Sequence, residues 1–184
     1  MGETLVDGHQ NDSARTGYTL PAWRLFEVMG IALKKLYDAG FCAAGFDCIK
    51  MITGEGITLR GYSSFLPENL ERMRPLSKGI WQEGLCLILP ADDENPAGVR
   101  MICYDDSYKN GAEMLIILHE YGHIVLKHTE QSMNGEAEAI CFATAMFLML
   151  TLEKQGHLAK KGSAEFARLM SLNRTGGARE KTVG

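Results

Sequence analysis

The sequence lacks the features that mark secreted, membrane-spanning and nucleic-acid-binding proteins. Its five cysteines are odd in number and form no C-x-x-C pair, so we expect buried, reduced thiols rather than disulfides or cysteine metal ligands. The longest apolar run, Ile140 to Leu152, is short for a bilayer and is interrupted by Thr144 and Thr151. The formal net charge of −4 gives no basic footprint for nucleic acid. We therefore expect a cytoplasmic protein that binds neither a membrane nor nucleic acid directly.

The chain has the length of a single domain with polar ends. It contains 184 residues, and residues 1–18 are polar, without periodicity and without an apolar secretory core. Residues 174–184 have the same kind of composition. We predict a disordered arm over residues 1–18, a single domain over residues 19–173 and a flexible tail over residues 174–184.

The first half of the predicted domain contains a helix and then three strands. Apolar residues at near-helical spacing, with Pro21 in the first turn, predict a helix from Leu20 to Gly40. The segment Phe41 to Lys50 is compatible with a short helix or a turn, and Pro67 to Gly79 with a loop or a short helix. Short apolar runs bounded by turn residues predict strands over Ile57–Tyr62, Leu85–Leu89 and Val99–Tyr104.

Helices are predicted for the rest of the domain. The first follows Asn110 as N-cap, with Glu113 in the capping-box position, and runs to about Lys127 or His128. The others are predicted from Gly135 to Glu153 and from Ser163 to Leu172. This order predicts an α+β fold, in which a sheet of about three strands packs on the first of these helices.

The most specific pattern is H-E-x-x-H, at His119 to His123. Residues four apart lie on one face of a helix, so these two imidazoles project side by side and can supply two corners of a zinc tetrahedron. Glu120 can then take a proton from an attacking water molecule. The flanking residues are mostly Leu, Ile and Val, which predicts a buried helix in which unpaired His and Glu would be costly. The pattern therefore predicts a zinc hydrolase, most often a metallopeptidase, with Glu120 as the catalytic residue.

A catalytic zinc site needs a third protein ligand, and the spacing alone does not select it. His128 lies five residues after His123, off the ligand face of a continuous helix, which favours a surface or supporting position. His157 has no periodic support, whereas two glutamates stand at the start of the next predicted helix. The candidates are Glu130, Glu136, Glu138, His128 and His157.

The motif and the residues after it resemble the ImmA/IrrE family of zinc metallopeptidases. H-E-x-G-H at residues 119–123 is followed by E-x-x-A-x-x-F-A at residues 136–143, and the likeness covers about Val99 to Leu150. It implies a small zincin-like domain of the gluzincin type, with zinc bound by His119, His123 and Glu136. Glu138 remains the alternative third ligand.

The resemblance also implies a function, and the chain departs from the family's pattern at several points, of which Ile140 lies nearest the metal ligands. It implies zinc-dependent cleavage of a cytoplasmic protein, such as a helix-turn-helix repressor of a phage, a mobile element or a stress response. Ile140 stands where the family usually has Asn or Asp, a polar group beside the metal ligands. This departure motivates an alternative function, a regulatory or protein-interaction module that keeps the zincin fold with little or no peptidase activity.

Three tyrosines are candidates for stabilising an oxyanion. Tyr121 lies within the motif helix, where packing in the core is expected. Tyr104 ends the last strand just before that helix and is favoured over Tyr108 as a hydrogen-bond donor to substrate.

Overall fold

The sheet and helices follow the predicted order closely. The structure is a computed structural model that describes residues 20–41, 43–73, 83–91, 93, 96, 98–108, 111–130 and 132–154. Within these ranges the chain forms five α-helices and a three-stranded mixed sheet, which confirms the predicted α+β class. The predicted arm (1–18), the tail (174–184) and the helix over Ser163–Leu172 lie outside the described residues.

The secondary-structure elements coincide with most of the predicted segments. The first helix and all three strands lie where the apolar pattern placed them, and both ambiguous segments contribute to helices. Asp47 caps the second helix, because its side chain accepts hydrogen bonds from the backbone N–H groups of Ile49 and Lys50 at 2.9 and 3.2 Å. The elements in chain order are α1 (Ala22–Asp38), α2 (Cys48–Gly54), β1 (Thr58–Gly61), a 3₁₀ turn (Tyr62–Ser64), α3 (Pro67–Met73), β2 (Gly84–Leu89), β3 (Val99–Tyr104), α4 (Ala112–Val125) and α5 (Met133–Lys154).

The sheet has the strand order β1-β3-β2, which the sequence did not predict. β1 runs parallel to β3, with Gly61 beside Tyr104, and β2 runs antiparallel to β3, with Gly84 beside Tyr104. The central strand β3 buries Ile102 and Cys103 completely in the core. Helix α4 packs against β2 and β3, so the start of β2 lies next to the motif helix.

The first turn of α4 differs from the prediction that Asn110 caps it. The N-cap is Gly111, with a φ of 87°, and this residue has no side chain to cap the helix, so the expected N-cap and its capping box with Glu113 are wrong. Asn110 itself lies outside the described residues. A glycine is favoured at this position because the left-handed conformation costs it no steric penalty.

The C-terminus of α4 is a Schellman motif. Lys127 adopts a φ of 59°, its N–H bonds to the carbonyl of Ile124 at 3.2 Å, and the N–H of His128 bonds to the carbonyl of His123 at 3.0 Å. The helix therefore ends at Val125, slightly before the predicted end. The reversal folds His128 back along the end of α4.

Helices α4 and α5 approach each other closely at Gly122. A Cβ on Gly122 would lie 3.2 Å from Cδ1 of Phe142 and 3.3 Å from Cα of Ala139. The absence of a side chain therefore lets the first turns of α5 lie against the middle of α4. The side chain of Ser132 accepts a hydrogen bond from the N–H of Gly135 at 3.0 Å and helps to begin α5.

Helix α5 is apolar along most of its length. By length and composition alone it could cross a membrane, since its most apolar 18-residue window has a mean hydropathy of 1.5, a property shared by core helices of soluble proteins. In this fold Ala139, Phe142 and Met146 are fully buried, and α5 packs against α4 and α1. The prediction that the protein binds no membrane therefore stays a prediction.

Candidate metal centre

Three of the predicted site residues converge at the junction of α4 and α5. The Nε2 atoms of His119 and His123 lie 3.2 Å apart. One carboxylate oxygen of Glu136 lies 3.2 Å from Nε2 of His119, and the other lies 3.6 Å from Nε2 of His123. All three residues can place one donor atom within 4.8 Å of the other two. The structure thus brings together two imidazoles and a carboxylate, a donor set suited to a divalent transition metal.

The environment of the two histidines favours their neutral form, which is the form that binds metal. Burial is the main cause that lowers the pKa of His119, although Glu136 opposes it. Burial, with the neighbouring His119 and His128, lowers the pKa of His123 to about 4. Both imidazoles therefore offer a lone pair to the site at neutral pH.

Glu120 lies beneath the sheet and is only 8% exposed. Burial, with a smaller contribution from Glu136, raises the pKa of its carboxyl group to about 7. Cys86, on β2, partly opposes that rise, because polar contacts from its thiol and backbone N–H favour the carboxylate. Gly84 covers the same group, and a Cβ there would lie 2.8 Å from Oε1 of Glu120.

The alternative third ligand, Glu138, points to a different set of partners. Its carboxylate accepts hydrogen bonds from Nε and Nη2 of Arg24 at 2.8 and 2.6 Å. Its Oε2 atom also lies 3.2 Å from Nε2 of His128. Glu136 is therefore the glutamate that faces both motif histidines, while Glu138 is engaged behind them.

The other described candidates, His128 and Glu130, do not belong to the group of three donors. His128 does not stand with the three donors but places its Nδ1 atom 2.9 Å from Nδ1 of His123, in a supporting position. Glu130 is exposed, and His157 lies outside the described residues.

The tyrosines differ in their surroundings. Tyr121 is fully buried and its hydroxyl donates to Glu55 at 2.9 Å, in agreement with the core position expected for it. Tyr108 is exposed and bonds to Glu83 at 3.0 Å. Tyr104 is half-buried and packs against the core, so its predicted role as an oxyanion donor stays a prediction.

Sequence reasoning missed the residues that come to the site from distant segments. Arg24 is 114 residues from Glu138, and Cys86 belongs to a strand whose place in the sheet was not predictable. Contacts between residues so far apart in the chain leave no local pattern in the sequence. In the sequence, only the short spacing between His123 and His128 indicated that His128 could support the site.

Comparison with known proteins identifies neither a family nor a function for this chain. No protein-family model, curated protein or solved structure matches the chain. Any functional conclusion therefore depends on the motif residues and on the geometry described above.

Proposed function

We propose that the protein is a zinc-dependent metallopeptidase with a zincin-like domain of the ImmA/IrrE type. His119, His123 and Glu136 would hold the metal, and Glu120 would act as the general base. The observation that carries this proposal is the spacing of the three donor groups, which come from two helices yet face one another.

The donor atoms fit zinc in distance and chemistry. Zn–N bonds of 2.0–2.1 Å at tetrahedral angles place neighbouring ligand atoms about 3.3 Å apart. Nε2 of His119 lies 3.2 Å from Nε2 of His123, and the two oxygens of Glu136 lie 3.2 and 3.6 Å from these nitrogens, one oxygen near each imidazole. One ligand atom from each residue lies within 4.8 Å of the other two. Three protein ligands of this kind leave one position open, as catalytic zinc sites require. When bound, zinc would polarise the substrate carbonyl and lower the pKa of a water molecule.

The protein's own residues would then move the proton. Glu120 immediately follows a ligand in sequence and lies in a largely dry site, where it would accept a proton from the attacking water and deliver it to the leaving amine. A bound dication would lower the pKa of Glu120 from its raised value, because positive charge favours the carboxylate. Cys86 beside it would favour the same charged form.

The position of β2 supports a peptide substrate. β2 is an edge strand of the described sheet, and its first residue, Gly84, lies against Glu120. An extended peptide that added to this edge would run past the site. In keeping with the resemblance, we propose a cytoplasmic protein as substrate, such as a helix-turn-helix repressor.

An unbiased cleavage assay tests this function. The zinc-loaded protein would be incubated with a proteome-derived peptide library and with helix-turn-helix repressors, and new N-termini would be identified by mass spectrometry. We expect cleavage by the wild type and loss of cleavage in Glu120→Gln, because the amide cannot accept the proton. Zinc content, measured in parallel, should be unchanged in that variant.

Equal cleavage products from the wild type and Glu120→Gln, or no products from either, would refute the proposed peptidase activity. The second result would leave the alternative, a regulatory module of the same fold. The observation that motivated this alternative has little weight, since the Ile140 side chain is 56% exposed and Glu138 and His128 place polar groups behind the ligands.

A further inference from the structure

We propose that His128, Glu138 and Arg24 are positioning residues that orient His123 for metal binding and fix its tautomer. They form one hydrogen-bonded chain with His123, which we call the relay. The inference rests on the proposed zinc site, because it concerns the far side of one of the proposed ligands.

The relay begins at the ring nitrogen of His123 that faces away from the metal site. Nε2 of His123 faces His119 and Glu136, whereas Nδ1 lies 2.9 Å from Nδ1 of His128. The other nitrogen of His128, Nε2, lies 3.2 Å from Oε2 of Glu138. The side chains of His128 and Glu138 are only 13% and 12% exposed, so water competes little for these contacts.

Only one arrangement of protons satisfies the relay with neutral rings when metal is bound. A metal takes the lone pair of Nε2, so neutral His123 carries its proton on Nδ1. That N–H donates to Nδ1 of His128, which must therefore accept and carry its own proton on Nε2. The second N–H then points at the carboxylate of Glu138. Each donor meets an acceptor, and both tautomers are fixed.

Arg24 completes the relay and anchors it to a third element. Its guanidinium binds Glu138 through two hydrogen bonds, at 2.8 and 2.6 Å, from α1 to α5. This ion pair places a positive charge beside Glu138 at the end of the relay. The Schellman motif at the end of α4 fixes the backbone of His128, whose N–H bonds to the carbonyl of His123.

The relay supplies polar support for His123 that the sequence pattern did not predict. Histidines that bind metal usually donate their second N–H to a carboxylate, a carbonyl or water, and loss of that partner typically lowers metal affinity by roughly 10- to 100-fold. Here a histidine intervenes between the ligand and the carboxylate. His128, Glu138 and Arg24 thus give the kind of polar support that an Asn or Asp at position 140 would give.

Zinc affinity tests the relay, measured by competition with a chromophoric chelator. We expect His128→Ala and Glu138→Gln to weaken zinc binding by roughly 10- to 100-fold. Both metal-free variants should remain folded, with a lower melting temperature in Glu138→Gln because it loses the ion pair with Arg24. Glu27→Gln is the matched control, because Glu27 also pairs with Arg24, at 2.7 Å, but lies outside the relay. It should leave zinc affinity within a few-fold of the wild type.

A tautomer measurement on the wild type makes the test independent of variant folding. In the zinc-loaded protein, long-range ¹H–¹⁵N spectra should show His123 protonated at Nδ1 and His128 protonated at Nε2. A His128 proton on Nδ1, or unchanged affinity in both relay variants, would overturn the inference while leaving the zinc site intact. Failure of the wild type to bind zinc would instead overturn the proposed function itself.

Discussion

At the scale of single residues, the absence of a side chain at Gly84 determines how closely the sheet can cover Glu120. A Cβ there would lie 2.8 Å from Oε1 of Glu120 and 2.7 Å from Cγ2 of Ile116. Neither separation is tolerable, so a larger residue must displace the proposed base or the strand. The glycine therefore belongs to the site although it carries no reactive group.

Replacing Gly84 with alanine should reduce turnover more than metal binding. We expect Gly84→Ala to cost about 1–3 kcal/mol of stability from overpacking and to lower the rate of peptide cleavage by moving Glu120, with zinc still bound. Kinetic assays and zinc titration of the same preparation provide the measurement.

Gly30→Ala serves as the control for this substitution. A Cβ at Gly30, on α1, meets nothing within 4 Å, and alanine should stabilise that helix by about 0.5–1 kcal/mol. Full activity in Gly84→Ala would contradict the proposed closeness of β2 to Glu120.

The buried thiols make a second prediction at this scale. Burial raises the pKa of Cys48 to about 12 and is the main cause that raises the pKa of Cys103 to about 11. Because the thiolate is the nucleophile, iodoacetamide should label both far more slowly in the native protein at pH 7 than in urea, and faster as the pH rises. Peptide mapping by mass spectrometry would measure each site, and equal native and unfolded rates would refute the burial.

At the scale of elements, the site depends on the distance between α4 and α5. The two histidines lie on α4 and Glu136 lies on α5, while Gly122 permits the close approach of Phe142 and Ala139. The glycine within H-E-x-G-H thus has a packing role in this chain, because it sets where the third donor stands.

Enlarging Gly122 should therefore weaken metal binding from outside the donor set. In Gly122→Ala the gain in helix propensity, about 1 kcal/mol, opposes an overpacking cost of about 1–3 kcal/mol, so stability should change little or fall. We expect zinc affinity to fall as Glu136 is pushed away, measured by chelator competition with Gly30→Ala as control. Wild-type affinity in Gly122→Ala would show that the spacing of α4 and α5 is not limiting.

The same two helices show what sequence could and could not predict. The three strands and helices α1, α4 and α5 were predictable from apolar periodicity and turn residues, whereas α2 and α3 lie in segments whose pattern was ambiguous. The pairing of His119 with His123 followed from helical spacing. A continuous helix predicts His128 off the ligand face, whereas the left-handed conformation of Lys127 turns His128 back toward His123. The strand order, and with it the contact of Cys86 with Glu120, depends on long-range pairing that no local pattern encodes.

At the scale of the whole molecule, metal binding should be coupled to folding. The three donors join the C-terminal half of α4 to the first turn of α5. An ion that binds only the folded chain stabilises it by about 2.7 kcal/mol at a hundredfold excess over Kd. We expect zinc to raise the melting temperature, a chelator to reverse the effect, and His119→Ala to abolish it. Calorimetry with and without zinc measures this, and an unchanged melting temperature would argue against a site in the native state.

X-ray absorption at the zinc edge, together with metal analysis, tests the central claim most directly. The account predicts about one zinc per chain, with nitrogen and oxygen ligands at roughly 2.0–2.2 Å, two of them imidazoles, and loss of the metal in Glu136→Ala but not in Glu138→Ala at saturating zinc. Absence of bound zinc, sulfur ligands from cysteine, or loss of zinc in Glu138→Ala alone would contradict the site formed by His119, His123 and Glu136.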